Sequence, residues 1–103
     1  MTKKKLPPVH PGEVLLEDFL KPLNLTMNRL ALELRVSPNR ISQIVEGDRD
    51  ITADTAFRLA RYFGTTPELW LGIQMQFNIE TARDKLLAQI EREVQPRAAA
   101  KAA

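Results

Sequence analysis

The sequence of 103 residues contains no cysteine and one histidine, His10. The missing cysteines exclude a disulfide framework and a thiolate metal site. The lone histidine leaves little room for acid–base catalysis. No partner for a nucleophile stands near Ser37 or Ser42, so His10 reads as an N-cap or packing residue and no enzyme is expected. No run approaches the roughly 18–20 apolar residues of a membrane-spanning helix. The start Met1 to Lys5 is basic, but Pro7, Pro8, His10, Pro11 and Gly12 follow it in place of an apolar segment. A secretory signal is therefore not expected, and the cytoplasm is the expected compartment. Strong charge is missing too: 15 Lys and Arg face 13 Asp and Glu, for a formal net charge of +2. Such a weak basic balance does not mark a nucleic-acid binder by itself. Glu46, Asp48 and Asp50 alternate with Gly47 and Arg49 and lack the order of a calcium loop. Glu13, Glu17 and Asp18 suit the positive end of a helix better than a catalytic pair. Neither a metal nor another cofactor is expected.

What is present is helix punctuation. Apolar residues make up 44% and charged residues 27%, ordinary globular usage for one domain. A chain this short buries a limited core, which favours support from a second chain. No alternating pattern is long enough for a strand, and no internal repeat is visible. Residues 1–10 form a basic, proline-rich flexible arm, 11–94 the helical domain, and 95–103 a low-complexity disordered tail opened by Gln95-Pro96. The first helix starts at Pro11, carries Val14, Leu15, Leu16, Phe19 and Leu20, and ends at Pro22, with Asn24 in the turn. Thr26 caps a second helix over about 27–34, which buries Leu30, Ala31 and Leu34. Ser37 caps a third with Pro38 at its first position; Ile41, Ile44 and Val45 face inward and Gly47 follows. Thr52 caps a fourth over about 53–63, with Ala56, Phe57, Leu59, Ala60 and Phe63 as its apolar set. A fifth over about 67–76 buries Leu69, Trp70, Ile73 and Phe77. A sixth runs from about Glu80 to Val94.

Thr26 to Leu34 and Ser37 to Glu46 are two short helices joined by Arg35-Val36. Val36 plugs the gap between them, and small Ala31 lets them approach closely. This is the geometry of a DNA-binding helix-turn-helix, spanning residues 26–47, whose second helix enters the major groove. The outer face of that helix carries Pro38, Asn39, Arg40, Ser42 and Gln43, where a solvated face would carry Glu and Lys. Asn and Gln can each bond an adenine edge twice, and Arg a guanine edge, at about 1–3 kcal/mol of discrimination per pair. Asn39, Arg40 and Gln43 are the foremost base-reading candidates. The helix starts at Thr26 and Ser37 suit phosphate oxygens, and Arg49 adds a cation beyond the reading helix. Two plainer readings compete: an ordinary amphipathic helix, and for Arg40 a surface ion pair with Glu46 or Asp50.

Ile79, Ala82, Leu86, Ile90 and Val94 form one apolar stripe at helical spacing. It packs within the chain against the first and fifth helices, or it serves a dimer or partner interface, which is the favoured reading. Two recognition helices set about 34–36 Å apart on successive half-sites require a two-fold dimer.

The stretch Val36 to Ile44, with Gly47 and Ile51 to Ala56, closely resembles the Xre/Cro-type helix-turn-helix family. Val9 to Leu15, Leu59-Ala60-Arg61 and Gly64 to Leu71 narrow the resemblance to the HigA (VapI-like) antitoxin subfamily. The match covers about residues 9–79. It implies an all-α, lambda-repressor-like domain of five or six helices, and a homodimer that represses its own operon from an upstream double-stranded operator. It also implies a partner, a RelE-like ribonuclease toxin, although some members of the subfamily are stand-alone regulators. The base-reading positions of the family fall on Pro38, Asn39 and Gln43, with Arg40 and Ser42 beside them; Thr26 and Met27 match phosphate-touching positions. One departure stands out. Many relatives have Gly where this chain has Arg35, and a positive φ there would strain an arginine. A third reading keeps the helix-turn-helix only as scaffold for a protein-interaction module.

Overall fold

The computed structural model describes residues 6–98, and every regular element among them is helical. The basic arm at Lys3 to Lys5 and the tail beyond residue 98 lie outside the described residues. Six helices follow one another. The first, α1, spans residues 11–23 in three registers: Pro11–Val14 α-helical, Leu15–Leu20 π-helical and Lys21–Leu23 α-helical. The others are α2 (Met27–Leu34), α3 (Pro38–Val45), α4 (Ala53–Phe63), α5 (Pro67–Lys85) and α6 (Leu87–Glu93).

The starts follow the capping rules. Hydroxyls of Thr26, Ser37 and Thr66 accept from the backbone N–H groups of Arg29, Arg40 and Leu69, at 3.0, 3.1 and 3.2 Å. Thr52 holds the N-cap position of α4 without such a bond. Pro22 does not end α1; it lies in the last turn, and left-handed Asn24 (φ 54°) closes the helix. A proline inside a helix lacks one donor and crowds the carbonyl four residues back. The wider π turn, closed by the Lys21 N–H on the Leu16 carbonyl, relieves that crowding.

The core lies where α1, α4 and α5 back the α2–α3 pair. Leu15, Leu30, Ala31, Ile41, Ile44, Ala56, Leu59 and Trp70 are fully buried. The Trp70 indole donates to Thr65 Oγ1 at 2.9 Å, and its ring packs beside Phe19, with centroids 5.1 Å apart. Phe57 and Leu69 depart from expectation: both are exposed, at 62% and 40%. One residue step turns a helix by roughly 100°, which carries Phe57 off the face of Ala56, Leu59 and Ala60. Leu69 is carried off the Trp70–Gln74 face in the same way. The expected break between residues 76 and 80 is missing. Phe77-Asn78-Ile79 offers no glycine or proline, and Gln74 Nε2 bonds Asn78 Oδ1 along the helix at 3.0 Å. The break falls instead at Leu86 (φ −122°, ψ −25°). Beyond it the chain leaves the body. The radius of gyration is 17.6 Å, against about 13 Å for a compact chain of this length.

The first turn of α1 sets the position of α3. A Cβ added to Gly12 would overlap the Ile44 carbonyl oxygen and touch the Val45 Cα. The two backbones therefore meet with no side chain between them. His10 holds that turn: its Nδ1 accepts the Gly12 N–H at 2.9 Å, and its ring stands edge-on to Phe77, centroids 4.9 Å apart. It is the N-cap and packing residue the sequence indicates. Its Nε2 is buried without a hydrogen-bond partner among the described residues. Burial pushes the imidazole pKa down, against the opposing pull of Asp50, the Arg49 backbone and Asp48.

Two outcomes are expected. Gly12→Ala forces α1 and α3 apart and should cost about 1–3 kcal/mol in urea unfolding, as overpacking does. Because the folded pKa of His10 lies below the unfolded value of 6.5, its contribution is present above that pH and is lost as pH falls through the folded value. Melting temperature should therefore drop on acidification below that point. His10→Asn, which keeps a capping acceptor but cannot titrate, should flatten this part of the profile.

Candidate nucleic-acid interface

The turn between α2 and α3 closes by a double backbone bond. Arg35 N–H reaches the Leu32 carbonyl at 3.2 Å and Val36 N–H reaches Ala31 at 3.0 Å. This pairing needs a left-handed residue between them, and Arg35 supplies it at φ 61°, ψ 43°. A side chain in that conformation costs roughly 1–2 kcal/mol, the strain expected of an arginine where a glycine would fit. Half-buried Val36 packs on the core beneath the turn, and Ala31 is fully buried, as the motif requires. The far end of α3 closes in the same way: Gly47 (φ 83°) and Asp48 donate to Ile44 and Gln43 at 3.0 and 2.8 Å. Here the left-handed residue is a glycine.

With Ile41 and Ile44 buried, α3 turns the rest of its surface outward. Ser37, Pro38 and Asn39 are exposed, and Ser42 and Gln43 are half-buried. Ser42 Oγ donates to the Asn39 carbonyl at 3.2 Å, so this hydroxyl serves its own helix. Thr26 and Met27 are exposed at the start of α2, and Arg49 is exposed just past α3. The first-turn N–H groups of a helix have no partner within it. The starts of α2 and α3 thus flank the row of exposed Pro38 and Asn39 and half-buried Gln43.

Arg40 is the member of the predicted row that points elsewhere. Its Nη1 lies 2.7 Å from Asp54 Oδ2 and 3.4 Å from Thr55 Oγ1, both on α4. The ion-pair partners suggested by sequence, Glu46 and Asp50, are not the ones used. Arg58 Nε meets the same Asp54 oxygen at 3.0 Å, while Arg58 Nη1 donates to the Leu34 carbonyl at 2.9 Å. Both guanidiniums, Arg58 ahead of Arg40, hold the Asp54 carboxyl below its usual pKa. A relay thus runs from α3 through α4 to the last carbonyl of α2. Sequence reading missed Asp54 and Arg58, although their spacing of four on one helix was a visible signal. It also missed Gln74, which is buried and accepts the Ile51 N–H at 2.7 Å, tying the segment after α3 to α5.

The stripe Ile79, Ala82, Leu86, Ile90 and Val94 is exposed, with its large members at 42–62%. None of its members belongs to the buried core of the described residues. Beside it, Val9, Val14, Leu69, Gly72 and Ile73 line a shallow groove of about 520 Å³. Among the described residues, a Cβ at Gly72 would meet nothing within 4 Å. No group of described residues could hold a metal ion, and no described helix is long and apolar enough to cross a membrane.

Comparison with known proteins places this geometry. The helix-turn-helix family model matches residues 16–70. Virulence-associated protein I of Dichelobacter nodosus is 49% identical over 80 residues, covering 78% of this chain and 74% of the relative. An addiction module antidote protein of the HigA family from Coxiella burnetii superimposes with a TM-score of 0.83 at 46% identity, over 89% of this chain and all of the other. Pseudomonas aeruginosa antitoxin HigA, solved with the higBA promoter, gives a TM-score of 0.83 at 39% identity, over 86% of this chain and 97% of that one. Fold, motif and relatives agree: the chain belongs to the helix-turn-helix family, in the branch that holds the HigA antitoxins and virulence-associated protein I.

Proposed function

We propose that this chain is a sequence-specific DNA-binding repressor and the antitoxin of a toxin–antitoxin module. It binds a double-stranded operator upstream of its own operon as a homodimer, in the cytoplasm, and neutralises a toxin of the RelE-like ribonuclease type. The observation that carries the reading is the uncharged row on the outer side of α3, exposed Pro38 and Asn39 with half-buried Gln43, flanked by the helix starts at Thr26 and Ser37. Amide side chains there can bond base edges in pairs. Thr26, Met27, Ser37 and Arg49 take the phosphates on either side. Ser42 packs at the margin of the base-reading row, its hydroxyl turned to the helix. The HigA relative solved with promoter DNA supports this use of the fold. This is a binding protein rather than an enzyme.

The dimer rests on surface that the single chain leaves uncovered. Gly72 sits inside α5, where glycine costs about 1 kcal/mol relative to alanine. Nothing among the described residues approaches close enough to require it. A second copy seated along α5 and the stripe from Ile79 to Val94 would give both the glycine and the apolar side chains a partner, and would set two α3 helices on successive half-sites.

A gel shift on the upstream region, at two salt concentrations with scrambled competitor, tests the DNA reading. Specific retardation that weakens steeply with salt is expected. Asn39→Ala and Gln43→Ala should each lower preference for the specific duplex about 5- to 150-fold, from about 1–3 kcal/mol per lost pair, while leaving the salt slope unchanged. Arg49→Ala should weaken specific and scrambled duplexes alike and reduce the slope by about 0.9. No specific retardation at low salt would leave the protein-interaction reading in its place. For the dimer, sedimentation should give two chains for the native protein and one for Ile79→Asp/Ile90→Asp. A native monomer at micromolar concentration would remove the dimer from the proposal.

A further inference from the structure

The reading helix carries one cation, and the fold ties it back. Arg40 leaves α3 at a position where the sequence alone points to guanine recognition. Its guanidinium instead meets Asp54 Oδ2 at 2.7 Å and Thr55 Oγ1 at 3.4 Å. The carboxylate is not free to let go easily, because Arg58 Nε holds the same oxygen at 3.0 Å. Arg58 is itself anchored on the Leu34 carbonyl at 2.9 Å. The Arg40 side chain is 30% exposed and Asp54 54%, so DNA could reach the pair. A pair this open adds little stability. What it does determine is where a positive charge sits.

We propose that Asp54 is a specificity-determining positioning residue: by holding the Arg40 guanidinium against α4 it keeps that cation out of the major groove and leaves base reading to the uncharged Asn39 and Gln43. The inference rests on the DNA-binding reading above and goes beyond it. An unpaired arginine on a recognition helix adds attraction to any phosphate and a strong preference for guanine. Paired with Asp54, it adds neither, and the operator is chosen by amide contacts alone. The relay also fixes the spacing between α3 and the end of α2 at a point remote from the strained Arg35 turn. Asp54 touches no DNA in this arrangement; it acts through Arg40.

The test uses the full-length protein, a duplex enriched by the native chain from a randomised library about three helical turns long, and a scrambled duplex. Binding is measured by fluorescence anisotropy across a salt series for the native chain, Asp54→Asn, Arg40→Gln and the double variant. Asp54→Asn should bind the scrambled duplex several-fold more tightly, steepen the log–log salt slope by about 0.9, and shift library enrichment toward guanine. The double variant should lose all three gains. Arg40→Gln alone should keep the native slope and base preference. Helical circular dichroism and melting temperatures within a few degrees of native show that the variants fold, so a fold defect is not mistaken for a result. The proposal is overturned if Arg40→Gln alone lowers the slope by about 0.9 or relaxes preference at one guanine, since Arg40 then reads DNA in the native complex. It is equally overturned if Asp54→Asn behaves as native, or if the double variant keeps the gains, which would trace them to the lost carboxylate rather than to a released arginine. A native chain that enriches no duplex sinks the DNA reading itself, an outcome distinct from all of these.

Discussion

The close approach of two backbones, Gly12 on α1 and Ile44 on α3, is the constraint on which the rest of the structure depends. A recognition helix of eight residues cannot hold its own position. Its inward side chains, Ile41 and Ile44, pack into the core and fix how it rolls. They leave its height above the core and its end-on register loose. Backbone contact at Gly12 removes that looseness, because peptide groups in van der Waals contact have no rotamers to adjust. The contact explains the chemistry around it. His10 must cap α1 so that its first turn is rigid, and Phe77 must back His10. Gln74 must hold Ile51 so that the segment leaving α3 is fixed as well.

At the other end of α3 the fold tolerates strain and counters it with polar geometry. The Arg35 turn takes a left-handed conformation that suits glycine, while the backbone bonds to Ala31 and Leu32 demand it. The Arg40–Asp54–Arg58–Leu34 relay spans the same two helices from the α4 side. Apolar burial is the term that stabilises the pair. The relay is too exposed to add much, but it restricts the angle at which the two helices can sit.

How much of this could be read in advance follows from the range of each interaction. Thr26, Ser37, Thr66 and Pro11 announce helix starts because capping acts within three residues. Asn24, Gly47 and Gly64 announce ends for the same reason. The buried set Leu30, Ala31, Leu34, Ile41 and Ile44 follows from spacing. What escaped is tertiary. Arg40 had carboxylates near it in sequence, yet its partner lies fourteen residues away on another helix. Nothing local marks Gln74 as the acceptor of the Ile51 N–H, which lies 23 residues away in the chain. Phe57 looked apolar enough to be core, and only the packing of α4 shows it on the open side. The sixth helix was expected from about Glu80, some seven residues too early, because Leu86, where the helix actually breaks, carries no local breaker.

The weak net charge and the tied arginines have a common consequence. Among the basic side chains around the reading pair, Lys21, Arg29, Arg40 and Arg58 are each paired with a carboxylate. Arg49 and Arg35 make no ion pair among the described residues. Among the described residues, the surroundings of the reading pair therefore offer few free cations to the phosphates, and in the proposed reading these residues alone give low affinity for any duplex. Specificity from amide contacts is of use only when overall binding is strong enough to occupy a site. A second copy doubles the phosphate contacts and the base contacts together, and converts the second engagement into an intramolecular step. In the proposed reading, the exposed stripe on α5 and α6 and the sparse charge near α3 belong together: pairing of two copies supplies the phosphate contacts that one copy lacks.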